Sequence, residues 1–354
     1  MVETNAARIS GIGRWSARVA GAVLAGAALT ALALPSVAQA QAPEKVTLVL
    51  NWVPTADHAA YYYAKQQGLY AKAGIDLSIE VGRGSALSAQ KVGSGGAAFG
   101  VSDLATSLVA KGKGADLAAV MIVYANSPQG FYWLKSSGIA GPKDFAGRKI
   151  GNPPGDAARI MWPAFAKAVG LDPASVTFVN ITPQAKNAAL KSRTVDVISD
   201  FFNEHDTKVI EMGEDLVHLP WKQVGLNPYG NAVIVNGAFL QAKPAVVENF
   251  VKISQRAFAQ CVADFTPCLK ALTEGVSGLD EATQRRQWER IKWLMTDSFT
   301  TEKGLGWIDG DRLKADYELV QTYIGLDKPF DPASVFTTRF LDPAVKMDAS
   351  KVKN

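Results

Sequence analysis

The chain reads as an α/β protein: two α/β domains with mixed, mostly parallel sheets, joined by a hinge that the backbone crosses twice. Three observations predict this. Beyond residue 45, short apolar runs alternate with amphipathic stretches in βαβα order, which places helices on the faces of a mostly parallel sheet. The same alphabet restarts after ANSPQG (125–130). Past GNAVIVN (230–236) it gives way to helices alone, and these need a sheet to cover. The backbone therefore leaves domain I near 124–130 and returns near 229–236. The expected division is 41–125 with 236–354 for domain I and 126–235 for domain II.

Taken in order, the first 40 residues stand apart from the fold. Arg8, Arg14 and Arg18 make a basic region, VAGAVLAGAALTALALPSV an apolar run, and Ala38-Gln39-Ala40 a small-x-small cleavage site. This is the pattern of a Sec-type signal peptide cut after Ala40, leaving a mature chain that starts at Gln41. The alternative, a membrane anchor, is disfavoured by the short, Ala/Gly-rich run. VTLVLNWV is a buried strand; Asp57 can cap a helix running to about Lys72, which Gly74 ends. IDLSIEV alternates like a half-buried strand, followed by a helix from Ala86 to about Val92, strand AAFGVSD, helix LATSLVAKG and strand LAAVMIVY. The second domain repeats the scheme with strands FYWLK and RKIG, helix DAARIMWPAFAKAVG, strand VTFVNI, helix AKNAALKS, and strands VDVISDF and DLVHL. Helices are expected at about 245–265, 280–296 and 309–324.

Composition narrows the function. A net charge of +4 over 354 residues, with the basic residues scattered, gives no nucleic-acid surface. The two cysteines, Cys261 and Cys268, suit one disulfide in an exported chain, with two buried free thiols as the alternative. No histidine lies near them, so a metal site is not expected. The three histidines, His58, His205 and His218, form no Ser-His-Asp, HExxH or Walker pattern, and no catalytic residue is assigned.

Several strings carry a resemblance: Asn51-Trp52-x-Pro54-x-x-x-His58, Ala64-Lys65, Gly68-Leu69-Tyr70, Gly74-Ile75-Asp76, AAFGVSD, DFAGRKIG (144–151) and IVNGAFL (234–240). On them the chain resembles periplasmic substrate-binding proteins of ABC importers with the type II fold, in the branch of sulfonate receptors and thiamine-pyrimidine synthases. The resemblance implies a periplasmic, monomeric receptor without a cofactor. Its partners would be an inner-membrane ABC permease and a small heteroaromatic ligand such as a thiamine pyrimidine precursor, with riboflavin-like or purine-like rings also compatible. Aligned on the synthase, the cofactor-bearing lysine falls on Ser102, the sacrificial histidine on Thr106 and the cysteine-rich stretch on Gly225 to Tyr229. A serine cannot form a Schiff base with pyridoxal phosphate, so a receptor rather than an enzyme is expected.

Ligands of open α/β sheets bind beyond the carboxyl ends of strands. There lie Asn51, Trp52 and His58, with Ser102, Asp103 and Asn126 ending other strands of domain I. Opposite are Asp156, Asp200, Phe202, Asn203 and Glu204, then Tyr229 and Asn231 on the return strand. Trp52 offers a face for stacking, Asn51 a donor and an acceptor for an amide or aminopyrimidine edge, and Asp200 or Glu204 a carboxylate for ring N–H groups. Of Tyr61, Tyr62 and Tyr63 at most one can face the cleft, because consecutive helical residues diverge by about 100°. NPPGDAAR (152–159) lacks two N–H groups at Pro153 and Pro154 and puts Asp156 at a helix start, as an N-cap or a ligand contact. Both readings oppose the rival function, a receptor for sulfonate or nitrate; Arg159 is the one counter-argument.

Overall fold

The computed structural model describes residues 42–352; the expected signal peptide, its cleavage after Ala40 and the mature start at Gln41 lie outside the described residues. Before the first crossing come β1 (Glu44–Val49), α1 (Ala59–Gln66), α2 (Leu69–Lys72), β2 (Ile75–Glu80), α3 (Ser85–Gly93), β3 (Phe99–Asp103), α4 (Leu104–Gly112) and β4 (Leu117–Ile122). The second half holds β5 (Gln129–Leu134), β6 (Lys149–Asn152), α5 (Ala157–Ile160), α6 (Trp162–Ala168), β7 (Thr177–Asn180), α7 (Lys186–Lys191), β8 (Val197–Phe201), α8 (His205–Met212) and β9 (Leu216–Pro220). The return brings β10 (Asn231–Asn236), α9 (Gly237–Ala242), α10 (Pro244–Ala263), α11 (Thr266–Gly275), α12 (Glu281–Leu294), α13 (Ser298–Glu302) and α14 (Gly310–Tyr323). No helix among the described residues is long and apolar enough to cross a membrane.

Two five-stranded sheets form, in the orders β2-β1-β3-β10-β4 and β7-β6-β8-β5-β9. Each is mixed and mostly parallel, as expected, with one strand reversed. β10 runs antiparallel to both β3 and β4, and β5 antiparallel to both β8 and β9. The reversed strand is in each case the one entered on crossing between halves: the backbone arrives at the cleft, where the parallel strands end, and must run away from it. β10 therefore belongs to the first sheet, although residues 231–235 were placed in domain II by the expected boundaries.

Two expected elements differ, and helices stand where none was expected. The helix meant to run from Asp57 to Lys72 is a 3₁₀ turn at Ala56–His58, then α1, a left-handed Gly68 (φ 66°), then α2. Its cap position is Thr55, and Asp57 accepts from the Thr55 hydroxyl at 2.6 Å rather than capping. DAARIMWPAFAKAVG breaks at Met161 into α5 and α6, since Pro163 has no N–H for the turn before it. Between 237 and 302, α9, α11 and α13 add three helices to those expected.

α10 covers the first sheet. Phe250 stacks on Phe99 with ring centroids 3.9 Å apart and on Tyr70 at 5.3 Å, while Tyr61 meets Phe258 edge-on. Tyr61 is fully buried in this core, Tyr62 and Tyr63 partly so, and none of the three reaches the cleft. A disulfide joins Cys261, near the end of α10, to Cys268 in α11. In the second half the centre is aromatic: Phe131 packs against Phe145, Trp162, Phe165 and Trp221. α14 touches both α4 and α6 and so spans the two halves.

Candidate functional site

Asn51 and Trp52 follow β1 after Leu50, and the turn after β2 locks them in place: Gly84 N–H donates to the Asn51 carbonyl at 2.7 Å and Gly82 N–H to that of Trp52 at 3.1 Å. Gly84 also meets the other half. At φ 131° it lies against Gly155, where an added Cβ would stand 2.4 Å from the carbonyl oxygen, and Ala86 N–H donates to that same oxygen at 3.2 Å. Only glycine permits this approach of the two backbones.

On the first wall the polar side chains form a relay. Thr55 N–H donates to His58 Nδ1 at 3.2 Å, which leaves Nε2 as the protonated nitrogen, 3.1 Å from Asn51 Oδ1. Asn51 Nδ2 in turn donates to Asn231 Oδ1 at 3.1 Å, and Asn231 Nδ2 to Asp57 Oδ2 at 3.3 Å. Burial holds the His58 pKa below its ordinary value against the opposing charge of Asp57, so their 3.1 Å contact is not an ion pair. The relay uses one hydrogen and one lone pair of the Asn51 amide and leaves one of each.

The second wall is ionic. Asp156, at the start of α5, accepts from Ala158 N–H at 2.9 Å and from Ser199 Oγ at 3.1 Å. Its other oxygen takes Lys186 Nζ at 2.8 Å; that nitrogen lies 3.8 Å from Asp200 Oδ1, and Lys208 Nζ lies 2.5 Å from Asp200 Oδ2. All four side chains are buried. Although burial alone would discharge Lys186, the carboxylates of Asp156 and Asp200 raise its pKa above the usual value. Burial pushes on Asp200 in the other direction, but Lys186 and Lys208 bring its pKa below the usual carboxylate value. The Lys186 ammonium also sits 4.4 Å from the Trp52 ring centroid, joining the two walls.

Beyond Asp200, the short turn Phe202–Glu204 presents two acceptors without donors. Among the described residues, Asn203 Oδ1 is buried with no hydrogen-bond partner, and no donor reaches the half-buried Glu204 carboxyl. Desolvation, aided by the charge of Asp200, raises the Glu204 pKa to about 7. Asn51, Trp52, Asp57, Asp156, Lys186, Asp200, Asn203 and Glu204 thus enclose one interlobe pocket. Its walls carry four carboxylates against a single lysine. The pocket is shut, leaving about 20 Å³ for the centre of a water-sized sphere.

The remaining expected site residues do not line this pocket. His58 and Asn231 stand behind Asn51 in the relay. Ser102 donates to the Ser85 carbonyl at 3.1 Å. Asp103 caps α4 through Thr106 N–H, and its pKa rises to about 6 by burial. Asn126 donates to the Thr296 carbonyl at 2.9 Å, and Tyr229 lies under Arg312 with its hydroxyl accepting from Asp309 N–H. Phe202 points to a neighbouring cavity. Arg159 bonds Asn180 at 2.6 Å and lies over Phe178, away from the site. Lys186 was missed: in AKNAALKS it looks like a surface lysine, and only the surplus of acids at strand ends signals a buried base.

The family profile described as NMT1/THI5 like matches residues 55–265, more than half of the chain. The chain is similar to the riboflavin-binding protein RibY of Chloroflexus aurantiacus, 26% identical over 84% of this chain and 86% of that one. It is 24% identical to the 4-amino-5-hydroxymethyl-2-methylpyrimidine phosphate synthase of Legionella pneumophila, over 84% of this chain and 92% of the synthase. Among solved structures, the alkanesulfonate-binding protein SsuA of Xanthomonas axonopodis pv. citri superposes with TM-score 0.67 at 17% identity, covering 84% of this chain and 99% of SsuA. The architecture is that of the periplasmic binding proteins.

Proposed function

The chain belongs to the NMT1/THI5-like family, and from that premise we propose that it is the periplasmic receptor of an ABC importer, closing two α/β domains over a small N–H-bearing heteroaromatic molecule. The observation that carries this reading is the pair of unpartnered acceptors, Asn203 Oδ1 and the Glu204 carboxyl, in a pocket of excess negative charge. The buried Asn203 Oδ1 is costly to leave without a donor, so the ligand supplies an N–H or O–H group to it and another to the half-buried Glu204 carboxyl. A flat ring stacks on Trp52 in place of the Lys186 ammonium, while the free hydrogen and lone pair of Asn51 read the ring edge. The shut pocket is too small for a ring, so the halves part at 124–130 and 229–236 to admit one. Thiamine pyrimidine precursors and riboflavin-like rings fit this chemistry, as the names of two relatives suggest. The acidic walls oppose sulfonate and nitrate. Ser102 and Thr106 offer neither the lysine nor the histidine of the synthase, so this reading assigns the chain no reaction.

Calorimetric titration with riboflavin, 4-amino-5-hydroxymethyl-2-methylpyrimidine, an alkanesulfonate and nitrate tests the assignment. Binding of a heteroaromatic that Glu204→Gln weakens supports it. Tight binding of either anion, with neither heteroaromatic bound, overturns it.

A further inference from the structure

A second cavity, of about 600 Å³, opens on the other side of the Phe202–Glu204 turn. Its size is that of small-molecule sites, in contrast to the shut pocket beside it. The chemistry is also inverted. Phe202 and Trp293 meet there at 70° with centroids 6.0 Å apart, offering two ring surfaces. Lys222, Arg286 and Arg290 stand against two carboxylates, both already paired: Asp206 with Arg290 at 2.8 Å and Glu289 with Lys292 at 3.0 Å. Among the described residues Lys222 forms no ion pair; its ammonium lies 5.4 Å from the Trp293 centroid. A further wall residue is Gln129, 2% exposed, whose Oε1 has no donor among the described residues. An aromatic slot, an unneutralised cation and a buried orphan acceptor together specify a ligand different from that of the acidic pocket.

We propose that this cavity is a second binding site, for a planar aromatic anion bearing an N–H or O–H donor. The ring lies along Trp293 and Phe202, the anionic group meets Lys222 and Arg286, and the donor satisfies Gln129 Oε1. The site goes beyond the importer reading and does not depend on the identity of the first ligand.

Anthranilate and indole-3-carboxylate have the required ring, charge and N–H group. Titration of the whole mature protein with each, read by calorimetry and tryptophan fluorescence, should give saturable one-to-one binding by at least one. Trp293→Ala and Lys222→Gln should each weaken it about tenfold, the scale of one lost aromatic or ionic contact. Trp52→Ala should leave it unchanged. Both altered side chains are solvent-exposed in part, and Lys222→Gln preserves the test should Trp293→Ala fold poorly. No saturable binding of either probe overturns the proposal. So does binding that Trp52→Ala abolishes and Lys222→Gln spares, which would put the probe in the first pocket.

Discussion

Asn51, His58, Asn231 and Thr55 build the first wall of the cleft from uncharged hydrogen-bonding groups around Asp57, whereas Lys186, Lys208, Asp156 and Asp200 build the second from buried ions. The two respond differently to loss. A neutral relay that loses one member leaves a polar group to find another partner or a water. An ion cage that loses one member leaves a buried charge with no compensation. The first wall is therefore where recognition can be altered cheaply, and the second is where the fold and the site are the same thing.

The largest effect separates them directly. Lys186→Met strands Asp156, leaves Asp200 with Lys208 alone, and should destabilise the ligand-free protein by about 3–5 kcal/mol, the cost of breaking a buried ion pair. Urea unfolding measures it; a loss no greater than that of Asn51→Ala would erase the contrast between walls. Next comes Trp52→Ala, which should weaken ligand binding by about 2–4 kcal/mol through lost stacking and apolar burial. Apo melting should scarcely move, because Trp52 is only half-buried beyond the end of β1. Lower melting with affinity intact would make Trp52 a packing residue instead. Asn51→Ala should cost about 1–3 kcal/mol of affinity by unpairing the ligand edge.

How much of this was legible varies with the range of the interaction that decides it. The strands and the two crossings follow from local apolar patterning, and Asp156 as a helix start follows from its position before AARI. Gly68 and Pro163 stand in the sequence as breakers, yet the helices they interrupt keep their apolar faces, so the apolar pattern alone reads as continuous. Sequence distance from a strand end does not separate wall from support. His58 and Asn231 support Asn51, and Phe202 turns from its neighbours Asn203 and Glu204 into the other cavity. Lys186 was hidden because its burial requires Asp156 and Asp200, brought together from separate elements.

The smallest effect concerns protons. The fold raises the Glu204 pKa to about 7 from 4.5, so the folded state holds the proton more tightly than the unfolded one and stability from this group falls as pH rises between those values. Binding runs the other way, since ligand N–H groups favour the ionised carboxylate. Affinity should climb modestly from pH 6 to 8, and Glu204→Gln should flatten the profile. Asp103, near 6, and Asp316, near 7, titrate in the same window but do not line the pocket. A slope that survives in Glu204→Gln would move the effect to those hinge-side acids.

Mass spectrometry of the small molecule released on denaturing freshly isolated periplasmic protein asks the central question without choosing candidates. The acidic pocket with its two waiting acceptors should yield an uncharged or cationic heteroaromatic with at least two N–H or O–H donors, one molecule per chain, absent from Trp52→Ala. Recovery of a sulfonate or another anion that Trp293→Ala retains and Trp52→Ala loses would contradict it.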